Sequence, residues 1–256
     1  MERPLNVKPE VFGAQTPIGS TERYARFVEH TDEKSVIAEG IRPYFLPGTI
    51  LDIGAGRGEI PTLLGVDTQS YTAIEQNPNH AEVLSANGYK VIEEHFPCAC
   101  PAPKYDNILL SHSLFTREQY TVMIEAASQL TTVGGRLIIV TYRDTPSDYS
   151  TLINSIGETR PENDERHDDL LNVLQGIGAT EVRRMQSHIY SEDVDDLIDH
   201  LSFMATNNSY CTAEKREMLS RKLKNVEHQF ARYFDPALGV FAFPIDHYLY
   251  VTEKES

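Results

Sequence analysis

Apolar residues recur along the chain in two alternating rhythms. Short apolar runs with few breaks predict strands, whereas longer stretches with apolar residues at helical spacing predict helices. The runs that predict the first five strands are residues 49–55, 71–75, 90–94, 106–112 and 136–142. Helical patterns fill most of the gaps between them, as in residues 116–130. Strands that alternate with helices predict a parallel sheet with right-handed crossovers.

Two helical patterns precede the first predicted strand. The first starts near residue 20 and carries Tyr24 and Phe27 on its apolar face. The second starts after Thr31, a residue type that caps helix N-termini, and it is predicted to end at Pro47. Because neither pattern belongs to the strand–helix alternation, both are predicted to lie outside the central sheet.

The chain after the fifth strand predicts two more strands with helices between them. A sixth strand is expected at residues 180–190, and a last strand at residues 240–253 with an interruption near Pro244. In that last strand, Asp246 and His247 are expected to face solvent or the sheet, and a position in the pocket stays open as the alternative. The fold class is therefore α/β, with a doubly wound, mostly parallel seven-stranded sheet and helical caps at both ends.

These patterns divide the chain into four predicted segments. They are an N-terminal arm with two helices at 1–48, an α/β core at 49–190, a helical insertion or lid at 191–239, and a final strand returning to the core at 240–256.

Composition narrows the choice of partners. The 256 residues carry a net charge of −15, which repels phosphate backbones and anionic lipids, so neither a nucleic acid nor a membrane is expected as a partner.

The apolar runs are too short to cross a bilayer, and the N-terminus has no apolar signal region. An odd count of 3 cysteines then indicates a reducing compartment, the cytoplasm. No feature indicates an obligate assembly, so a monomer is expected.

Cysteine spacing gives no indication of a metal site. Cys98 and Cys100 form a Cys-x-Cys pair, but no second pair follows, and a structural zinc site needs about four ligands. No metal is therefore expected.

The segment "ILDIGAGRGEI" at residues 50–60 is glycine-rich directly behind an apolar run. Glu59 stands where a dinucleotide fingerprint would place its last glycine, and Asp52 lies within the turn region. Two carboxylates are unfavourable beside a diphosphate but favourable beside a cation. S-adenosylmethionine is such a cation, with a sulfonium, an ammonium and a ribose diol that suits a carboxylate after the second strand, where Glu75 stands.

The combination of motifs resembles the class I S-adenosylmethionine-dependent methyltransferases. "LDIGAGRGE", Glu75, "YDNILLSHSLF" and "LTTVGGRLIIV" carry the resemblance. It implies that glycines let the backbone approach the cofactor, that Asp52 holds the ammonium and that Glu75 binds the ribose. The full set of implied cofactor contacts is Asp52, Gly54, Ala55, Gly56, Glu75, Gln76, His95, Phe96 and Ser111. Family members often have an aspartate beside the adenine, where this chain offers His95 or Glu94.

The segment "ERYARFVEHTDEKSVIAEGI" at residues 22–41 is similar to the N-terminal helices of the histamine N-methyltransferase family. The resemblance implies that Glu33, in the first turn of the second helix, holds an amine substrate, and that Tyr24, Phe27 and Phe115 surround it. A family glutamine is replaced by His112 at the end of the fourth strand, so histamine itself is not predicted.

The resemblance therefore implies transfer of a methyl group to a small molecule, with an amine nitrogen as the expected acceptor. His112 and Glu33 are the expected catalytic residues, because an unperturbed imidazole, with a pKa near ~6.5, is a usable base at neutral pH. Methylation of oxygen or carbon, a cofactor-assisted cyclisation and a non-catalytic cofactor-binding protein stay open as alternatives. A protein or RNA acceptor is disfavoured, because "SHSLF" replaces an Asn-Pro-Pro-Tyr motif.

Overall fold

The computed structural model describes residues 26–98, 103–114, 117–142, 147–158, 163–206 and 213–255. The strands are β1 Ile50–Ile53, β2 Tyr71–Ile74, β3 Lys90–Ile92, β4 Tyr105–Ser111, β5 Thr131–Tyr142, β6 Thr180–Ser191, β7 Phe234–Asp235 and β8 Val240–Glu253. The helices are α1 Glu33–Ile41, α2 Glu59–Leu64, α3 Pro78–Ala86, α4 Arg117–Leu130, α5 Asp148–Ser155, α6 Asn163–Gln175, α7 Val194–Thr206 and α8 Ala213–Lys224. Shorter 3₁₀ segments lie at Arg42–Tyr44 and Glu227–Tyr233.

The sheet has the strand order β3-β2-β1-β4-β5-β8-β6, and the short β7 pairs with β8 off this path. The first five strands run parallel, and β8 lies antiparallel between β5 and β6. This confirms the predicted fold class. The strand order reverses between β1 and β4, so the carboxyl ends of β1, β2 and β4 meet where doubly wound folds bind ligands.

The last strand differs from its prediction at one residue. β8 continues through Pro244, which pairs with His188 of β6, so the predicted interruption is wrong. The remaining strand bounds lie within a few residues of the predicted ones, apart from β5, which begins at Thr131 rather than near residue 136.

Both faces of the sheet are covered, which explains why the central strands are almost continuously apolar. Ile108 and Leu110 of β4 pack with Ile124 of α4 in one buried cluster. Leu109, whose side chain points to the opposite face, packs with Ile37 of α1 in another. The two layers of helices therefore hold the ends of β1 and β4 in a fixed relation.

Residues 30–32 attach α1 to the edge of the sheet. Thr31 forms an isolated bridge with Ile189, and its Oγ1 donates to the carbonyl oxygen of His188 at 2.8 Å. The Oδ1 of Asp32 accepts from the backbone N–H of His188 at 2.6 Å. The helix starts at Glu33, close to the predicted cap at Thr31, but it ends at Ile41 and is followed by the 3₁₀ segment Arg42–Tyr44, so the predicted end at Pro47 is wrong. These contacts with β6 fix the position of Glu33.

The helices after β6 and the strand β8 share a further buried apolar cluster. Phe203 of α7, Leu219 of α8 and Phe230 pack with Phe243 and Ile245 of β8 in one apolar cluster. The prediction that this helical region acts as a lid stays a prediction. Within the residues described, no helix combines the length and the apolar character that a membrane-spanning segment requires.

Asn107 of β4 anchors the chain as it enters β1. Its side chain is 0% exposed, its Oδ1 accepts from Leu46 N–H at 2.8 Å, and its Nδ2 donates to Leu46 O at 2.9 Å. Asn107→Ala leaves these partly buried backbone groups without a partner, so we expect a loss of about 1–3 kcal/mol of unfolding free energy in urea titrations. Asn172→Ala, at an exposed position of α6, is the matched control. Equal losses in the two variants would contradict the anchoring role.

Candidate active site

The loop after β1 depends on glycine at the points where it approaches its neighbours. Gly54, Gly56 and Gly58 adopt φ angles of 77°, 59° and 84°, in the left-handed region that favours glycine. A Cβ atom on Gly54 would lie 2.6 Å from the Cβ of Ser113. The loop after β1 and the loop after β4 are therefore in direct contact, and only a residue without a side chain fits between them.

The carboxylate of Glu75 is held against this glycine loop. Its side chain lies directly after β2 and is 6% exposed. Its Oε2 accepts from the backbone N–H of Gly56 at 2.9 Å, and its Oε1 accepts from the backbone N–H of Asn77 at 2.8 Å. Because a carboxylate oxygen has two lone pairs, each oxygen can still accept one further hydrogen bond. Both oxygens of Glu75 are thus fixed in position and keep the capacity to accept from a ligand.

Asp52 adds a second acidic group near Glu75. It is 2% exposed and accepts a hydrogen bond from the Tyr71 hydroxyl at 2.6 Å. Burial raises the pKa of Asp52 to about 7; the hydrogen bond from Tyr71 opposes the rise and the charge of Glu75 adds to it. A cationic ligand beside these carboxyl groups would favour the ionised form of Asp52, whereas a phosphate would disfavour it.

The end of β4 presents polar atoms that lack partners. Among the described residues, the Oγ atoms of Ser111 and Ser113 and both ring nitrogens of His112 are buried without a hydrogen-bond partner. His112 also adopts a φ of 53°, which is uncommon for a residue other than glycine and frequent at functional sites. Buried polar groups normally find a partner in protein, water or ligand. The atoms at 111–113 therefore indicate a ligand site that faces the glycine loop.

His112 belongs to a buried cluster with charged and aromatic neighbours. Its ring stacks on Tyr142 with centroids 3.9 Å apart, and the ring of His247 lies 5.2 Å away. Its Nε2 lies 4.0 Å from the Oε2 of Glu33. That same oxygen accepts from the Tyr142 hydroxyl at 2.8 Å, while Lys34 Nζ lies 3.0 Å from the other oxygen. The predicted pair of Glu33 and His112 is therefore brought together.

The charges in this cluster are fixed by burial and by neighbours. Burial alone would raise the pKa of Glu33, but the ammonium of Lys34 lowers it well below its ordinary value, so the group is ionised. Burial lowers the pKa of His112 to about 3, and it also lowers that of His247. The expectation that His112 is a usable base with an ordinary pKa is therefore wrong: the imidazole is neutral and holds protons weakly.

The cluster includes His247, for which the sequence favoured a position outside the pocket. His247 is 0% exposed, and its Nε2 lies 2.7 Å from the Oγ of Ser187, so the expectation that it faces solvent or the sheet is corrected. Glu33, His112 and His247 offer ligand atoms that all lie within 4.8 Å of one another, so their geometry can accommodate a metal ion. The ammonium of Lys34 on Glu33 opposes a dication there.

The other residues predicted to contact the cofactor or the acceptor differ in how deeply they are buried. Phe27 is 2% exposed and packs against Phe203 with ring centroids 5.6 Å apart, so its ring is part of the core. Phe96 is 7% exposed, whereas Gln76 and His95 are exposed, and Ala55 is half-buried. Tyr24 and Phe115 lie outside the described residues. The ligand contacts inferred for all these residues stay predictions.

No protein-family model matches the chain, and no curated protein sequence matches it. Solved structures match in fold. A candidate methyltransferase from Bacillus halodurans superposes with a TM-score of 0.53 at 15% identity, covering 87% of this chain and 100% of its own. The plantazolicin methyltransferase BamL, solved with S-adenosylhomocysteine, gives a TM-score of 0.51 at 14% identity, covering 92% and 90%.

The match to a candidate histamine N-methyltransferase from Thermotoga maritima is weaker. Its TM-score is 0.47 at 15% identity, over 65% of this chain and 80% of that one, which is too low to bear on the acceptor. The fold is that of class I S-adenosylmethionine-dependent methyltransferases, as the motifs at residues 50–60 and after β4 predict.

The lowered pKa of His112 predicts that the unfolding free energies of the parent and of His112→Asn respond differently to pH. Between about pH 6.5 and 3 the unfolded chain binds a proton at this imidazole that the folded chain does not, so its contribution to stability falls as the pH falls. Between pH 7 and pH 5 we expect the unfolding free energy of the parent to fall by about 2 kcal/mol more than that of His112→Asn, because each pKa unit corresponds to about 1.4 kcal/mol. Asparagine suits the positive φ at this position.

Urea unfolding at the two pH values measures this difference. The raised pKa of Asp52 acts in the opposite direction but is common to both proteins, so the comparison isolates His112. His228→Asn, at an exposed position, should behave like the parent. Parallel pH dependence in the parent and His112→Asn would show that His112 protonates normally in the folded state.

Proposed function

We propose that the chain is an S-adenosylmethionine-dependent methyltransferase that methylates a nitrogen atom of a small molecule. The observation that carries the proposal is the Glu75 carboxylate, fixed by the N–H groups of Gly56 and Asn77 at the carboxyl edge of the sheet. This carboxylate lies against the glycine loop after β1. That loop contacts the loop after β4, where polar atoms of residues 111–113 have no partner among the described residues. When bound, S-adenosylmethionine supplies a methyl group on a sulfonium that a nucleophile can displace directly.

The residues around the glycine loop fit this cofactor. Glu75 would hold the ribose diol, and the positive φ angles of Gly54 and Gly56 give the ligand close access to the backbone. Asp52 would hold the cationic end, directly or through water, in keeping with the electrostatic preference for a positive ligand. Ala55, Gln76, His95, Phe96 and Ser111 complete the proposed cofactor contacts. The fold shared with BamL supports the assignment.

The acceptor would lie against Glu33 and His112. A neutral His112 can accept a hydrogen bond from an N–H group and so orient the nitrogen, and the ionised Glu33 favours an acceptor with positive or hydrogen-bonding character. Both side chains are buried, so they would also restrict water. Alignment and exclusion of water are the main contributions that a protein makes to this kind of displacement.

The weak basicity of His112 bears on the choice of acceptor. With a pKa of about 3, this imidazole cannot remove a proton from an alkylammonium ion, a phenol or a carbon acid before the transfer. We therefore favour an acceptor whose nitrogen lone pair is already free at neutral pH, such as an aromatic amine or an imidazole. The excess proton would leave to water after the transfer. Oxygen or carbon methylation remains the alternative.

A radiolabelled methyl-transfer assay against a panel of aromatic amines, imidazoles, alkylamines and phenols tests this proposal. We expect turnover with neutral nitrogen acceptors. His112→Asn and Glu33→Gln should each lower kcat/KM for the acceptor roughly 10- to 100-fold, because both misplace the nucleophile. The affinity for S-adenosylmethionine should change little, and His228→Asn is the exposed histidine control.

Each other result has a distinct meaning. Equal losses of turnover and of cofactor affinity in the two site variants would contradict their assignment to the acceptor. Turnover of phenols without turnover of amines would favour the oxygen alternative. Cofactor binding without turnover of any acceptor would favour a non-catalytic cofactor-binding protein.

A further inference from the structure

A second cluster of histidine and carboxylate side chains lies away from the glycine loop. It joins His30, which follows the helical turn at residues 26–29, to Asp196 and His200 of α7. The Nε2 of His30 lies 3.9 Å from the Oδ2 of Asp196, and the Nε2 of His200 lies 3.6 Å from the same oxygen. The two imidazole centroids are 4.8 Å apart. Three potential ligand atoms therefore converge on one point.

Both imidazoles direct a ring nitrogen toward that point. The Nδ1 of His30 lies 2.8 Å from the carbonyl oxygen of Arg26, and because a carbonyl only accepts, Nδ1 must carry the proton. The Nε2 of neutral His30 is therefore free to bind a metal. The His200 side chain is 3% exposed, and its Nε2 has no hydrogen-bond partner among the described residues. A buried nitrogen without a partner is the atom that a ligand would satisfy.

The surroundings of Asp196 support its use as a ligand. Its Oδ1 is bound by the guanidinium of Arg26, and the Ser191 hydroxyl donates to Oδ2 at 3.3 Å. Carboxylates and imidazoles that bind metals are usually held in this way by outer hydrogen bonds. Asp193, directly before α7, and Asp195 and Asp199 on α7 accompany Asp196, so four carboxylates outnumber the two cations paired with them, Arg26 and Lys224. This net negative charge favours a dication, and Arg26 occupies Oδ1 of Asp196 while Oδ2 lies toward the two imidazoles.

We propose that His30, Asp196 and His200 bind one zinc ion through their Nε2, Oδ2 and Nε2 atoms. All three atoms lie within 4.8 Å of one another. Zinc bonds of about 2.0–2.2 Å in a tetrahedral site place ligands roughly 3.3–3.5 Å apart, which small side-chain movements achieve here. The half-exposed side of His30 leaves room for water as the fourth ligand. Two imidazoles and one carboxylate suit zinc better than magnesium or calcium.

Such a site would cross-link two separate parts of the chain. His30 directly precedes residues 31 and 32, which bridge to β6 and position Glu33. Asp196 and His200 lie one helical turn apart on α7. A zinc ion between them would hold the segment before α1 against the helix that follows β6. The proposal does not depend on the methyl-transfer assignment.

Zinc titration of the metal-free full chain against a chromophoric chelator tests this proposal. We expect the parent to bind one equivalent at the site, and His30→Gln and Asp196→Asn to bind at that site at least 10-fold more weakly. His228→Gln, an exposed histidine control, and His247→Gln, which alters the other cluster, should retain the parent affinity. Absence of zinc binding, retention of full affinity in His30→Gln and Asp196→Asn, or its loss only in His247→Gln would overturn the proposal.

Thermal unfolding provides a second readout. A ligand that binds only the folded state raises the melting temperature, so zinc should raise Tm in the parent and in His228→Gln. It should not do so in His30→Gln, whose native side chain is 36% exposed, so that the substitution leaves the fold intact. An equal rise in Tm for the parent and His30→Gln would also overturn the assignment.

Discussion

The two hydrogen bonds that hold Glu75 connect the parts of the proposed site. They join the end of β2 to the glycine loop after β1 and to the start of α3, so that one carboxylate orients the whole edge. The arrangement depends on Gly56 and its positive φ, and on the lack of a side chain at Gly54, which brings the loop into contact with Ser113. The order of strands in the sheet brings these loops together, because it reverses between β1 and β4.

Burial of charge gives the site its chemical character. At the proposed cofactor end, Asp52 and Glu75 form a pair of acidic groups that is better satisfied by a cation than by a phosphate. At the proposed acceptor end, Glu33 stays ionised because the ammonium of Lys34 compensates for its burial, while His112 stays neutral. A neutral imidazole that stacks on Tyr142 is suited to orient an acceptor rather than to take a proton from it.

The sequence predicted the features that depend on local pattern. Apolar periodicity gave the order of strands and helices, and the position of Glu75 after the second strand indicated its place at the site. It could not predict His247, because the pairing of His247 with Tyr142 follows from the register of two antiparallel strands far apart in sequence. Thr31 accepts from the backbone N–H of Glu33 at 3.1 Å, as its residue type predicts, but its bridge to Ile189 of β6 joins segments far apart in sequence and could not be predicted. The pKa of His112 depends on burial, which is a tertiary property.

The most direct test of the central claim is calorimetric titration of the full chain with S-adenosylmethionine. The parent should bind one equivalent. Glu75→Gln should bind roughly 10- to 100-fold more weakly, because hydrogen bonds to a charged group contribute about 1.5–3 kcal/mol. Glu82→Gln, at an exposed position of α3, should bind like the parent. No binding by the parent, or equal affinities in the parent and Glu75→Gln, would contradict the account.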